Sequence, residues 1–283
     1  MSGPPPPTAP LLLERKNPAL LLAQLTDTHV FDPDNSSDFF VDNNARLAAA
    51  VAAINAESVR PDAVIATGDL TDTGSATEMS LLAQLLAPLE VPLLPLPGNH
   101  DRRDSFRATF DMPWATTGSH LGWVFALDDL NVIGVDTLLP GSHGGLFDAE
   151  RAAWLDQTLR DHPNRPAIIA MHHPPFASGI LWMDEMGLEG RDRFAEVVAG
   201  HDHVVRILCG HLHRPMTTTV GGVTTTVGLA PVHHVQLNLD PTAPIELILD
   251  PVGYQLHNFD GHNWVTHTRH IATGSQPFQP DWT

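Results

Sequence analysis

Leu20-Leu21-Leu22-Ala23-Gln24-Leu25-Thr26-Asp27-Thr28-His29 decides the reading of this chain. A short apolar run, the pattern of a buried strand, ends in a carboxylate and an imidazole. The same sentence is written four more times. Ala63-Val64-Ile65-Ala66 runs into Gly68-Asp69, and Val91 to Leu96 into Gly98-Asn99-His100-Asp101. Ile168 to Met171 runs into His172-His173-Pro174, and Val204 to Cys209 into Gly210-His211-Leu212-His213. Five strands that each end in metal donors can converge on one edge of a sheet. Carboxylates, an amide oxygen and imidazoles are the ligand set of borderline-hard metal ions.

Between these strands the period changes. Asp42 to about Ser58 reads as a helix with Leu47, Val51 and Ile54 on one face, and Ala76 to Ala87 as another with Met79, Leu82 and Leu86 in register. Asp148 is placed to N-cap a helix through Arg160. Arg191 to Ala199 completes the set. Gly122 to Val135 reads as a hairpin around Asp128-Asp129-Leu130-Asn131. Pro92 and Pro95 make the strand before Gly98 irregular or an edge. After Pro215 the chain turns β-branched, with glycine turns, so the last third is mostly β. Strand–helix alternation followed by a strand-rich end predicts a two-sheet α/β sandwich. Proline-rich residues 1–18 read as a disordered tail, 19–272 as a single domain, and 273–283 as a C-terminal tail.

Composition narrows the function. The chain has 283 residues, 42% of them hydrophobic, enough for a substantial core. No apolar stretch is long enough to span a bilayer. Met1-Ser2-Gly3-Pro4-Pro5-Pro6-Pro7 lacks the basic start of a secretory signal, so a cytoplasmic location is expected. One cysteine, Cys209, excludes an intrachain disulfide and sits in a strand as a small apolar residue. Fifteen Lys and Arg against 33 Asp and Glu give a net charge of −18. Such a surface repels nucleic-acid polymers, which bind by displacing counterions with Lys and Arg. It leaves a small phosphate ester open as substrate, because bound cations invert the local field.

Two cations about 3.5–4 Å apart need a shared anion between them. Asp69, after the turn-permissive Gly68, suits that role. Alternation along an extended chain would put Asp27 and His29 on one side, and likewise His211 and His213. The five motifs in this order resemble the calcineurin-like metallophosphoesterase superfamily. The resemblance implies a four-layer α/β/β/α sandwich of two mixed sheets. It also implies two metal ions, iron or manganese first and zinc or cobalt as alternatives. It assigns Asp27, His29, Asp69 and His213 to one ion and Asp69, Asn99, His172 and His211 to the other. His172 is preferred over His173 because one residue separates it from a proline. His173 is then left to support a ligand or touch substrate, and Asp101 to orient His100.

The implied chemistry is in-line attack on phosphorus by a metal-bridging hydroxide. His100 either protonates the leaving oxygen or stabilises the phosphate electrostatically. His143, in Gly141-Ser142-His143-Gly144-Gly145, either contacts phosphate or leaving group or is an exposed turn residue. The remaining histidines, including His233 and His257, read as surface or structural.

Absences select the subfamily. Thr73 stands where protein serine/threonine phosphatases carry a phosphate-gripping arginine. The only tyrosine, Tyr254, is far from the position of the purple acid phosphatase ligand. From about Leu20 to about His257 the chain is similar to bacterial class III cyclic nucleotide phosphodiesterases and related glycerophosphodiesterases. Hydrolysis of 3′,5′-cyclic nucleotides (cAMP or cGMP) to 5′-monophosphates is the first expectation. A broad glycerophosphodiesterase is the second, and a metal-binding regulatory module without turnover the third. The apolar Gly179–Gly190 segment reads as a lip over the substrate or, preferred, a homodimer interface.

Overall fold

The computed structural model describes residues 19–34, 41–112, 115–116 and 118–271. The expected tails at 1–18 and 273–283 lie outside them. Leu20–Leu25 is the middle of a five-stranded sheet, ordered Trp264–His270, Gly253–Phe259, Leu20–Leu25, Ala63–Thr67, Leu93–Leu96. The last three strands run parallel. Leu93–Leu96, the strand that carries Pro95, lies at the sheet edge, where a missing N–H costs no ladder bond.

The second sheet has six strands, ordered Met216–Val220, Val223–Val227, Val204–Cys209, Ala167–Met171, Leu130–Val135, Trp123–Leu127. Its four inner strands are parallel. An antiparallel partner closes each end. Asp128, at φ 49, turns the Trp123–Leu127 and Leu130–Val135 hairpin.

Strand alternation divides the apolar side chains into three cores. Ala23, Leu25, Val64 and Ala66 face helices Asn43–Asn55 and Ala76–Leu86. Leu20, Leu22, Ala63 and Ile65 face the other sheet, against Phe125, Ile168, Ala170 and Leu208. Ile169, Met171, Ile207 and Cys209 face helices Ala149–Asp161 and Arg191–Ala199. The result is a four-layer α/β/β/α sandwich. The helix starts follow from their caps. Asp148 accepts from the Arg151 amide at 3.0 Å. Ser75 and Glu78 form a reciprocal capping box.

Two features go beyond the sequence reading. The C-terminal hairpin, Gly253–Phe259 with Trp264–His270, returns to the first sheet and pairs antiparallel with Leu20–Leu25. In Gly179–Gly190, Ile180, Met183 and Leu188 are buried in the chain's own core, and Trp182 and Met186 pack against it. Most of the segment's apolar side chains are therefore used within the chain. Leu181 of this segment is exposed, and the largest group of other exposed large apolar residues is at Leu237, Leu239, Ile245, Leu247 and Leu249. No helix among the described residues is long and apolar enough to cross a membrane.

Candidate dinuclear metal centre

All five motifs meet at the strand ends between the two sheets. Four triads of donor residues lie with their atoms within 4.8 Å of one another: Asp27, His29 and His213; Asp27, Asp69 and His172; His29, Asp72 and His100; and His172, His173 and His211. Asp69 lies between the two groups of imidazoles, its Oδ2 3.2 Å from His172 Nε2 and 3.8 Å from His29 Nε2. Asn99 Oδ1 is 3.1 Å from His172 Nε2. His29 Nε2 is 3.1 Å from His213 Nε2.

The backbone that delivers these groups is unusual. Six described non-glycine residues have positive φ, and five of them are Asp27 (53), His29 (42), Asp69 (49), His211 (72) and His213 (53). Left-handed backbone on such residues costs energy and persists only where the surroundings enforce it. It also corrects the extended-chain argument. Asp27 and His29 share one triad through left-handed turns, and His211 and His213 diverge into different triads. Gly68, at φ +90, leaves the gap filled by its neighbours. A Cβ there would lie 2.5 Å from His172 Nδ1 and 2.8 Å from the Gly98 nitrogen.

Three of the four imidazoles are oriented by a carbonyl at the far side, an arrangement typical of metal-ligating histidines, and His29 faces the Asp72 carboxylate instead. His172 Nδ1 donates to Thr67 O at 2.8 Å. His213 Nδ1 donates to His233 O, and His211 Nε2 to Met186 O, both at 3.1 Å. The inward nitrogens of His211 and His213, and of His172 in its neutral form, then carry lone pairs, and they face carboxylates, an amide oxygen and one another. Buried carboxylates, an amide oxygen and imidazole lone pairs crowded together are the donor set of a cation site, although Asp27 also accepts from the Thr26 hydroxyl and the His211 amide and Asp69 from the His100 amide. These residues therefore fit a pair of metal ions.

Charge in the site follows the same logic. Burial opposes a charged His172, but Asp69 and Asp27 outweigh it and lift the ring to about 9, so a proton takes the place of a cation. Burial, with repulsion from His172, pushes His211 down to about 3, the neutral form that ligates. Burial also raises Asp27, to about 6. Asp69 is held well below the usual carboxylate range, chiefly by His172, against the opposing effect of burial.

His173 is fully buried and has both ring nitrogens engaged. Thr137 Oγ1 lies 2.8 Å from Nδ1, and Nε2 donates to His143 O at 3.1 Å. It supports the His143 loop and touches no substrate space. Asp101 does not orient His100. Its carboxylate accepts from the amides of Leu70, Thr71 and Gly98 and from the Thr71 hydroxyl, clamping two ligand loops together. His100 is set instead by Asp72, whose carbonyl accepts from Nδ1 at 2.7 Å. His100 and His143, with ring centres 5.9 Å apart, both line a cavity of about 660 Å³.

Two residues escaped the sequence reading. Asp72, three residues after Asp69, places its carboxylate 3.6 Å from His29 and 3.8 Å from His100. His233 stacks on His213 with ring centres 4.5 Å apart, and its carbonyl fixes that ring. The spacing of Asp72 within Gly68-Asp69-Leu70-Thr71-Asp72 was a usable signal; His233, in an irregular stretch, offered none.

The calcineurin-like phosphoesterase family matches residues 20–215. The chain belongs to that family. This phosphoesterase is 32% identical over 263 residues to a probable glycerophosphodiester phosphodiesterase of Arcobacter nitrofigilis, covering 92% of this chain and 96% of the relative. It is 30% identical over 272 residues to a 3′,5′-cyclic adenosine monophosphate phosphodiesterase of Vibrio vulnificus, covering 94% of each. Its fold is that of a dimetal phosphatase from Danio rerio, with a TM-score of 0.70 at 14% identity over 90% of this chain and 98% of that one. Family and relatives agree on a metal-dependent phosphodiesterase, and the donor triads could hold metal ions.

Proposed function

We propose that this metal-dependent phosphodiesterase hydrolyses 3′,5′-cyclic nucleotides to 5′-monophosphates, with Asp27, His29, Asp69, Asn99, His172, His211 and His213 holding the metals. The observation that carries the reading is the cavity of about 660 Å³ opening beside His100, a volume suited to a nucleoside-sized group. The relative named as a cyclic adenosine monophosphate phosphodiesterase supports it. So does Thr73, where a phosphate-gripping arginine would favour a dianionic monoester.

These residues would hold two cations, which when bound would offset charge on the phosphoryl oxygens and lower the pKa of a water molecule. The remaining work belongs to the side chains. As the water oxygen bonds to phosphorus, the bond from phosphorus to the 3′ oxygen breaks and His100 gives that oxygen a proton. The proton lost by water passes to solvent, from which His100 is reprotonated. The Asp72 carbonyl on Nδ1 leaves His100 Nε2 as the nitrogen available to the leaving oxygen.

A broad glycerophosphodiesterase is the second reading, favoured by the Arcobacter nitrofigilis relative. The deciding experiment is a kcat/KM profile for cAMP, cGMP, 2′,3′-cyclic nucleotides and glycerophosphodiesters at defined metal content. The proposal expects 3′,5′-cyclic nucleotides to lead. Glycerophosphodiesters leading instead would replace it with the second reading.

A further inference from the structure

Beyond His100 the cavity is walled by Arg102, Arg103 and Arg107, with Ser119 and Leu138. The chain has only 15 Lys and Arg residues among its 283, so three in six positions on one wall is a local concentration of cations. Arg103 is committed to the buried Asp136, with Nε to Oδ2 at 2.6 Å and Nη2 to Oδ1 at 3.0 Å. Arg102 and Arg107 are exposed, and neither pairs with a carboxylate among the described residues. Arg107 is steadied along one edge, where Nη2 donates to Gly118 O at 2.9 Å. The same nitrogen also reaches Thr116 O at 3.4 Å, which leaves Nε and Nη1 for a ligand. Arg102 has its stem against Gly74, where a side chain would collide with it.

The same wall carries acid. Asp104 lines the cavity beside the arginines, and Asp72 stands at its inner end. A second phosphate or carboxylate on the leaving alcohol would meet these carboxylates. A neutral, planar heterocycle suits both signs: it offers a π face to guanidinium, ring acceptors to the arginine donors, and amino hydrogens to Asp104. Leu138 adds apolar contact.

We propose that this cavity is the nucleobase subsite of the leaving alcohol, with Arg102 and Arg107 gripping a purine by stacking and donation. The inference rests on the cyclic-nucleotide reading and names the residues that would set its specificity.

The test uses manganese-loaded enzyme, the variants R102A, R107A, R107K and R102A/R107A, and two readouts. The first is the ratio of kcat/KM for cAMP to that for glycerophosphoethanolamine, whose leaving alcohol has no ring. The second is calorimetric binding of 5′-AMP, with inorganic phosphate as reference, which needs no turnover. The double variant is expected to lose about tenfold or more in the ratio, through KM rather than kcat, and a similar factor in 5′-AMP affinity relative to phosphate. Lysine at 107, lacking the planar fork, should not restore either. Unchanged 5′-AMP affinity and ratio in the double variant would overturn the subsite. If 5′-AMP binding falls in the variants while wild type fails to hydrolyse cAMP, the subsite stands and the substrate reading falls. If cAMP is hydrolysed equally by all variants, the reverse holds. Failure of wild type both to bind 5′-AMP more tightly than phosphate and to turn over cAMP would sink both.

Discussion

Gln24 Nε2 donates to Thr67 Oγ1 at 3.0 Å, and its second hydrogen reaches the Cys209 carbonyl at 2.9 Å. One buried amide thus ties the strand end before Asp69 to the strand end before His211, across the gap between the sheets. Its own oxygen accepts from His257 Nε2 at 3.0 Å, and Thr266 Oγ1 lies 2.9 Å from the other ring nitrogen. The C-terminal hairpin therefore braces the metal site from beneath. Gln24→Leu leaves the Thr67 hydroxyl and the His257 N–H without this partner in a dry interior. Urea denaturation should show a loss of about 1–3 kcal/mol. Because Thr67 O orients His172, metal affinity should fall by about 10–100-fold as well. Full metal affinity in a destabilised variant would limit the amide to a structural role.

Asp69 lies between the two sets of imidazoles, whereas His213 belongs to one set only. Elemental analysis of purified protein should therefore find about two metals per chain in wild type, about one in His213→Ala, and few or none in Asp69→Ala, since a shared anion offsets repulsion between the ions. Equal stoichiometry in the two variants would deny Asp69 its bridging place. Chelation should lower Tm in wild type, because buried acceptors lose the cations that satisfy them.

The strands and donors were legible because each signal is local: an apolar run, then a polar turn. Asp148 announced its helix in the same way. What stayed hidden depends on distant parts of the chain. Leu20–Leu25 pairs with Gly253–Phe259, more than two hundred residues later, and neither strand encodes that choice. The triad of Asp27 and His29 was expected from strand alternation but arises from left-handed turns, with φ of 53 and 42. Met186, read as part of a lip or interface, supplies the carbonyl that orients His211. Backbone carbonyls carry no residue signature, so no sequence reading finds them.

His100 offers a choice between acid and electrostatic roles that leaving-group chemistry resolves. An acid matters most when the departing oxygen is basic, with effects of about 10²–10⁴-fold. His100→Asn should cut kcat for cAMP or a glycerophosphodiester by at least about 10²-fold, within that range. The same variant should lose much less on bis(p-nitrophenyl) phosphate, whose phenolate leaves unaided. Equal losses on both would assign His100 to charge stabilisation.

Gly68 is held at φ +90, and a Cβ there would collide with the His172 ring and the Gly98 backbone. Gly68→Ala combines backbone strain of about 1–3 kcal/mol with displacement of a ligand ring. Stability and metal content should fall together, and a variant with normal metal content would show that the His172 ring can yield.

Asp148 supplies a prediction remote from the metals. Its carboxyl caps helix Ala149–Asp161 and pairs with Arg151 Nη1 at 2.9 Å. Burial opposes its charge, but the Arg151 amide and guanidinium hold its pKa below the ordinary 3.8. A depressed carboxylate stabilises the fold fully above its unfolded-state pKa, and that contribution disappears as pH falls through the folded-state value. Asp148→Ala should therefore cost about 1 kcal/mol near neutrality, the usual worth of an N-cap. The gap from wild type in urea denaturation should hold from neutral pH down to the ordinary carboxylate value of 3.8 and narrow only below it, as protonation removes the charge from the native cap. Asp148→Asn, which can cap without charge, should retain most of the neutral-pH stability and show a flatter acid response. A penalty for Asp148→Ala that holds constant across the range would mean that the cap works by shape and hydrogen bonding alone.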